Sequence, residues 1–278
     1  MMKYYQTLIT VEQLASIIKD DSIVVLDCRY YLADWTKGRK EYLHSHIPGA
    51  YYLDIGYDLS APVIKGITGR HPLPNPEVLA STLQETGLNN ESQVVVYDQS
   101  IGGYASRAWW LLNWLGHKNV AVLNGGFEAW NAKNLPQDNQ WPAPKHGTFK
   151  FQLRDELTTS MEEVLSLKVP LVDSREFKRY TGESEPIDPI AGHISGAVCL
   201  PYTDNATASG MWKSPEELNK KFAVLESDNE PPVFYCGSGV TACHNILAYK
   251  IATGRDARLY PGSWSEWINY HPAVKGEN

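Results

Sequence analysis

The sequence predicts an α/β protein built as two tandem domains, each a parallel β-sheet with helices on both faces, and three observations carry that prediction. Short apolar runs such as Gln93-Val94-Val95-Val96-Tyr97 and Pro232-Val233-Phe234-Tyr235 read as buried strands. Stretches with helical spacing, cap residues and stop signals alternate with them, the order that builds parallel sheets. The whole order then runs twice: Asp27 to His46 spans 19 residues and Asp173 to His193 spans 20, while Asp98 to Trp130 spans 32 and Cys236 to Trp267 spans 31. Repeated landmarks at nearly constant spacing indicate a duplicated domain.

In the first copy, Thr10-Val11-Glu12-Gln13 has capping-box spacing before an apolar-periodic run to Ile18. Ser22 to Leu26 reads as a buried strand ending at Asp27-Cys28-Arg29, and a long stretch follows with His46-Ile47-Pro48-Gly49-Ala50 as its landmark. Asn75-Pro76-Glu77 places a cap and an N1 proline before a helix that should end near Gly87. After the strand from Gln93 to Tyr97, Ala105 to Leu112 reads as a bulky buried helix closed by Gly116. Val120 to Leu123 is a further strand, and Gly125-Gly126 turns into a helix carrying Trp130. Trp109, Trp110 and Trp114 at helical spacing belong to the core.

Residues 137–155 have linker composition, with Asn139-Gln140-Trp141-Pro142 and Pro144-Lys145-His146-Gly147, so the expected division is a first domain over 1–136 and a second over 156–278. In the second copy Ser160-Met161-Glu162-Glu163 caps a helix, and Val169 to Asp173 is a strand ending Asp173-Ser174-Arg175. His193-Ile194-Ser195-Gly196-Ala197 echoes the His46 landmark, Ser214-Pro215 starts a helix, and Tyr260 to Trp267 echoes Leu123 to Trp130. His46, His193, Arg29 and Arg175 recur in both copies, which marks them as structural.

The net charge of −7 argues against nucleic acid or an acidic membrane surface as a partner. The opening residues lack the pattern of a secretion signal and no apolar run is long enough to span a bilayer, so a cytoplasmic protein is expected. Four widely spread cysteines, Cys28, Cys199, Cys236 and Cys243, suit reduced thiols better than a disulfide framework.

The copies differ where chemistry would lie. Cys236 stands at the carboxyl end of a predicted strand, where open α/β sheets place their ligands. Gly237 and Gly239 let the following loop curl, so that amides and the start of a helix from Thr241 to Thr253 can point at one spot. Such a cradle lowers a thiol pKa and holds an anion. The first copy has Asp98 at this place, a good plug for a ring of amides and a poor sulfur nucleophile. The first domain is therefore expected to be catalytically silent. Cys243, one turn into the helix, reads as buried packing.

The run Cys236-Gly237-Ser238-Gly239-Val240-Thr241-Ala242 resembles the active-site loop of the rhodanese-type sulfurtransferases, in the variant associated with mercaptopyruvate sulfurtransferases, and the duplication resembles the tandem rhodanese architecture over nearly the whole chain. The resemblance implies Cys236 as the catalytic residue and Gly237, Gly239, Val240, Thr241 and Ala242 as the substrate-binding loop. Arg179, in Arg179-Tyr180-Thr181-Gly182, matches an arginine that contacts the anionic end of the substrate and lies here in a short loop. His71 matches a histidine of a serine-histidine-aspartate relay that includes Ser238. The relay's aspartate falls near Gly56, where this chain has no carboxylate; Asp54 and Asp58 are the substitutes in reach of the pattern.

Phosphatases on a similar cradle use Cys-x5-Arg, and the sixth residue after Cys236 is Ala242, which argues against phosphate ester hydrolysis. Thiosulfate-type rhodaneses resemble this loop but carry basic side chains just after the cysteine, so the resemblance with neutral Gly237 and Ser238 implies a singly charged donor such as 3-mercaptopyruvate. Many mercaptopyruvate enzymes have a second arginine in the segment after Gly182, and Glu183 to Asp188 contains none, which points the other way. The expected reaction passes sulfur through a Cys236 persulfide to a thiol acceptor such as thioredoxin, or to cyanide, with no metal or organic cofactor. Thiosulfate as donor, and a non-catalytic protein-binding module, are the alternatives.

Overall fold

The computed structural model describes residues 4–225 and 230–276. They form two compact units. The first takes in the chain up to Ala61, Pro74–Arg154 and Ala208–Trp212; the second takes in Pro62–Leu73, Asp155–Thr207 and the chain from Lys213. This departs from a single cut at 137–155 for a local reason. Residues 62–73 bond to the second unit, where the Arg70 N–H donates to Ser265 Oγ at 3.0 Å. The stretch of linker composition lies along the first unit: Asp138 pairs with His46, and the Gly147 and Phe149 amides donate to Gln84 and Leu88.

The first unit contains β1 (Leu8–Ile9), α1 (Val11–Ile17), β2 (Ile23–Asp27), α2 (Lys37–His44), β3 (Tyr51–Tyr52), α3 (Pro76–Gln84), β4 (Gln93–Tyr97), α4 (Ala105–Trp114), β5 (Val120–Leu123) and α5 (Gly126–Ala132). Its sheet is parallel, in the order β1-β5-β4-β2-β3. Strand residues alternate between faces. Val25, Val95 and Ala121 pack with Val11, Leu14 and Trp130 on one face, and α4 covers β4 and β5 on the other. Thr10 closes a capping box with Gln13, and Asn75 caps α3 ahead of Pro76.

The second unit contains α6 (Met161–Val164), β6 (Leu171–Asp173), α7 (Phe177–Thr181), β7 (Ala197–Cys199), α8 (Pro215–Phe222), β8 (Val233–Tyr235), α9 (Ala242–Thr253), β9 (Arg258–Leu259) and α10 (Ser263–Trp267). Its sheet runs β7-β6-β8-β9, again parallel. That order repeats β3-β2-β4-β5 of the first unit, and a parallel bridge from Thr158 to Leu259 stands where β1 pairs β5. Tyr235, Tyr260, Trp264 and Trp267 fill one face, and Phe234 meets Phe222 and Tyr249 from α8 and α9 on the other.

The duplication extends to side chains. Arg29 grips Asp27 at 2.7 Å and the Ser45 carbonyl; Arg175 grips Asp173 at 2.5 Å and the Gly192 carbonyl. His46 stacks on Tyr42 with ring centroids 4.0 Å apart, and His193 stacks on Tyr180 at 3.8 Å. These pairs fix the start of β3 and β7, so the two histidines and both strand-end arginines are structural. Among the described residues no helix is long and apolar enough to cross a membrane.

Candidate active site

Cys236 follows β8 directly and is 1% exposed. Its N–H donates to Ser263 Oγ at 3.1 Å, and its carbonyl accepts the Trp264 N–H at 3.0 Å. The loop can turn because Gly239 takes a φ of +77°, where a Cβ would stand 2.3 Å from the Pro261 carbonyl oxygen. It leads into α9, whose N-cap Thr241 makes no side-chain cap bond. The Thr241 hydroxyl instead bonds the Cys236 sulfur, together with the amides of Ser238, Ala242 and Gly239.

Burial alone pushes the thiol pKa up, but these four donors outweigh it and hold the pKa below its ordinary value. Helix α9 adds the positive end of its dipole on the same side. By contrast, burial and the Asp27 and Asp98 carboxylates raise the Cys28 thiol well above its ordinary value, and burial first of all lifts Cys199 to about 12. Cys243 is buried with its sulfur 3.3 Å from the Gly239 carbonyl, a packing role.

The first unit shows what the same cradle does without sulfur. Asp98 follows β4, and its carboxylate accepts the amides of Ser100 at 3.1 Å, Gly102 at 3.0 Å, Tyr104 at 2.8 Å and Ala105 at 3.2 Å. The ring of N–H groups is filled by the chain itself.

The second unit brings the predicted site residues together. His71 Nδ1 lies 2.8 Å from Ser238 Oγ, and both side chains are buried. Asp54 and Asp58 serve their own turn: Asp54 accepts the Gly56 and Tyr57 amides, and Asp58 accepts the Asp54 amide at 2.7 Å. Gly237 leaves room for two guanidiniums, since a Cβ there would lie 2.8 Å from Arg70 Nη2 and 3.4 Å from Arg179 Nη2. Val240 is buried and gives its carbonyl to the Cys243 amide.

Arg179 is on α7 rather than in a loop. Five residues are too few to show helical periodicity, and Gly182 in the left-handed region ends the helix where the sequence shows only a turn signal. Its guanidinium pairs with Glu185 at 2.8 Å and Asp188 at 3.2 Å. Arg70, absent from the predicted set, also pairs with Asp188. Its only signal in the sequence is its place beside His71.

A protein-family model described as "Rhodanese-like domain" matches residues 10–133 and 154–270. The chain belongs to the rhodanese-like family. The rhodanese-like chain is 46% identical over 268 residues to a probable 3-mercaptopyruvate sulfurtransferase of Pseudomonas aeruginosa, covering 94% of each protein. It is 36% identical over 284 residues to the thiosulfate sulfurtransferase of Mus musculus, covering 96% of this chain and 94% of that one. Among solved structures it superposes on a 3-mercaptopyruvate sulfurtransferase from Leishmania major with a TM-score of 0.83 and 31% identity, covering 94% of this chain and 74% of that one. The 3-mercaptopyruvate sulfotransferase SseA from Escherichia coli matches with a TM-score of 0.82 and 30% identity, over 94% of this chain and all of that one. This rhodanese-like protein is an enzyme, a sulfurtransferase.

Proposed function

We propose that the second unit moves a sulfur atom from 3-mercaptopyruvate through a Cys236 persulfide to an acceptor thiol, or to cyanide. The Cys236 thiolate attacks the donor sulfur and forms an S–S bond. The donor C–S bond breaks, and its electron pair leaves on pyruvate as the enolate, which takes a proton from Ser238, with His71 hydrogen-bonded behind the hydroxyl. The loop amides and the Thr241 hydroxyl then hold the terminal persulfide sulfur, as they hold the thiolate. The acceptor thiolate attacks that sulfur and releases Cys236. No metal or organic cofactor enters this sequence.

The observation that carries the reading is the buried Ser238–His71 bond beside a thiol whose pKa is lowered by four donors. The first unit has no role in this chemistry, because Asp98 fills its amide ring. Four cysteines without a disulfide suit a reducing compartment such as the cytoplasm. A second reading, thiosulfate as the donor, is favoured by the two guanidiniums above Gly237 and by the thiosulfate sulfurtransferases among the relatives. Mass spectrometry after donor treatment tests the common step: the reading requires an added sulfur atom on Cys236, and its absence with both donors refutes it. Side-by-side kcat/KM values then decide between donors.

A further inference from the structure

The charges around the Cys236 loop are matched before any substrate arrives. Arg175 is held by Asp173 and Glu185, Arg179 by Glu185 and Asp188, and Arg70 by Asp188. Three guanidiniums thus meet three carboxylates. Arg175 is committed to the β6 strand end, so the cations within reach of a donor are Arg70 and Arg179, which both overhang Gly237. The group that joins them is Asp188, with one carboxylate oxygen on each and a side chain 3% exposed. Arg70 nonetheless leaves Nε buried without a hydrogen-bond partner, so this guanidinium is under-satisfied even with Asp188 bound.

A donor whose sulfur reaches Cys236 brings its anionic group beside these guanidiniums, and therefore beside a fixed, buried negative charge. Repulsion from that charge grows with each unit of charge on the donor and is weakly screened where water is excluded. We propose that Asp188 is the specificity-determining residue that sets donor charge: it bridges Arg70 and Arg179 as an internal counterion and selects a monoanionic donor over a dianionic one. The inference rests on the sulfur-transfer reading above and goes further, since it assigns donor selection to a residue outside the cysteine loop.

The test compares Asp188→Asn, which keeps the side-chain shape and removes the charge, with the parent enzyme. The ratio of kcat/KM for thiosulfate to that for 3-mercaptopyruvate is expected to rise at least tenfold, mainly through KM for thiosulfate. In a Cys236→Ser background, calorimetry with sulfate and pyruvate as unreactive probes reads the same preference without turnover. Sulfate binding should tighten about tenfold or more, about 1.4 kcal/mol, and pyruvate binding by much less. Equal tightening of both anions, or weaker binding of both, would mean that Asp188 only braces the arginines and overturns the proposal. If Asp188→Asn does not fold, Asp188→Ser carries the same comparison. A parent enzyme that forms no persulfide from either donor refutes sulfur transfer, while the sulfate-to-pyruvate ratio still decides the role of Asp188.

Discussion

Ser263 accepts the Cys236 amide hydrogen at 3.1 Å from a backbone with φ of +54°, a conformation that glycine adopts freely and serine does not. The first unit has Gly126 at the equivalent place, with φ of +58° and no side chain. The strain, about 1–2 kcal/mol, is thus confined to the copy that carries the cysteine. Ser263→Ala keeps the strain and leaves the buried Cys236 N–H without its acceptor, a loss of about 1–3 kcal/mol. Ser263→Gly removes hydroxyl and strain together and should unfold at a denaturant midpoint closer to the parent. Both variants should lose activity, so stability and sulfur transfer separate. Equal midpoints for the two variants would contradict this assignment.

The Cys236 thiol is held below its ordinary pKa although it is buried, because the Thr241 hydroxyl and three amides favour the thiolate. Iodoacetamide labelling across a pH series should therefore give a midpoint below about 8.5, the free thiol value. Thr241→Val removes the side-chain donor and keeps the amides, so its midpoint should move up towards that value. A midpoint unchanged by Thr241→Val would remove the hydroxyl from the account.

How much of this was legible in the sequence depended on how far each feature reached along the chain. The β2 and β4 strands carry the apolar runs 23–26 and 94–97, β8 continues the run from Pro232, and Thr10, Asn75, Ser160 and Ser214 make the cap bonds that their spacing predicts. The strands β1, β3, β7 and β9 have two or three residues, too short for any period. Helix α2 buries only Gly38 and Tyr42, so it shows no apolar face. In the site, glycines and the cysteine announce a tight loop because their role is local. The Arg70–Asp188 pair joins residues 118 positions apart, and no local pattern marks it. Ser263 was recoverable only by aligning the two copies, which sets it opposite Gly126.

The Ser238–His71 bond makes a donor-dependent prediction. Pyruvate leaves as an enolate and needs a proton, whereas sulfite leaves thiosulfate as a stable anion and needs none. Ser238→Ala should then lower kcat for 3-mercaptopyruvate by about 10²–10⁴-fold, the usual worth of general acid catalysis. Sulfur transfer from thiosulfate should change by much less. His71→Ala should follow the same pattern with a smaller loss, since the hydroxyl stays in place. A similar loss with both donors would show that the pair shapes the loop and donates no proton.

Lys221 gives a prediction about stability rather than catalysis. Its ammonium donates to the Pro201 carbonyl and Asn205 Oδ1, both at 2.6 Å, and to Asn245 Oδ1 at 3.3 Å. Burial lowers its pKa from 10.5 to about 8, against an opposing pull from Asp204. Between those values the unfolded chain holds the proton more tightly than the folded one, so this group's contribution makes stability rise with pH from about 8 to 10.5. Below about 8 both states are charged, and the folded state carries the full cost of a buried ammonium. Lys221→Met leaves Asn205 Oδ1 without its donor, while the Pro201 carbonyl keeps the Asp204 amide and Asn245 Oδ1 keeps Asn205 Nδ2, and its urea midpoint should lack this alkaline rise. The difference between the two midpoints, measured across that window, isolates Lys221 from every group that the two proteins share. Parallel curves for parent and variant would show that the lysine keeps an ordinary pKa in the folded protein.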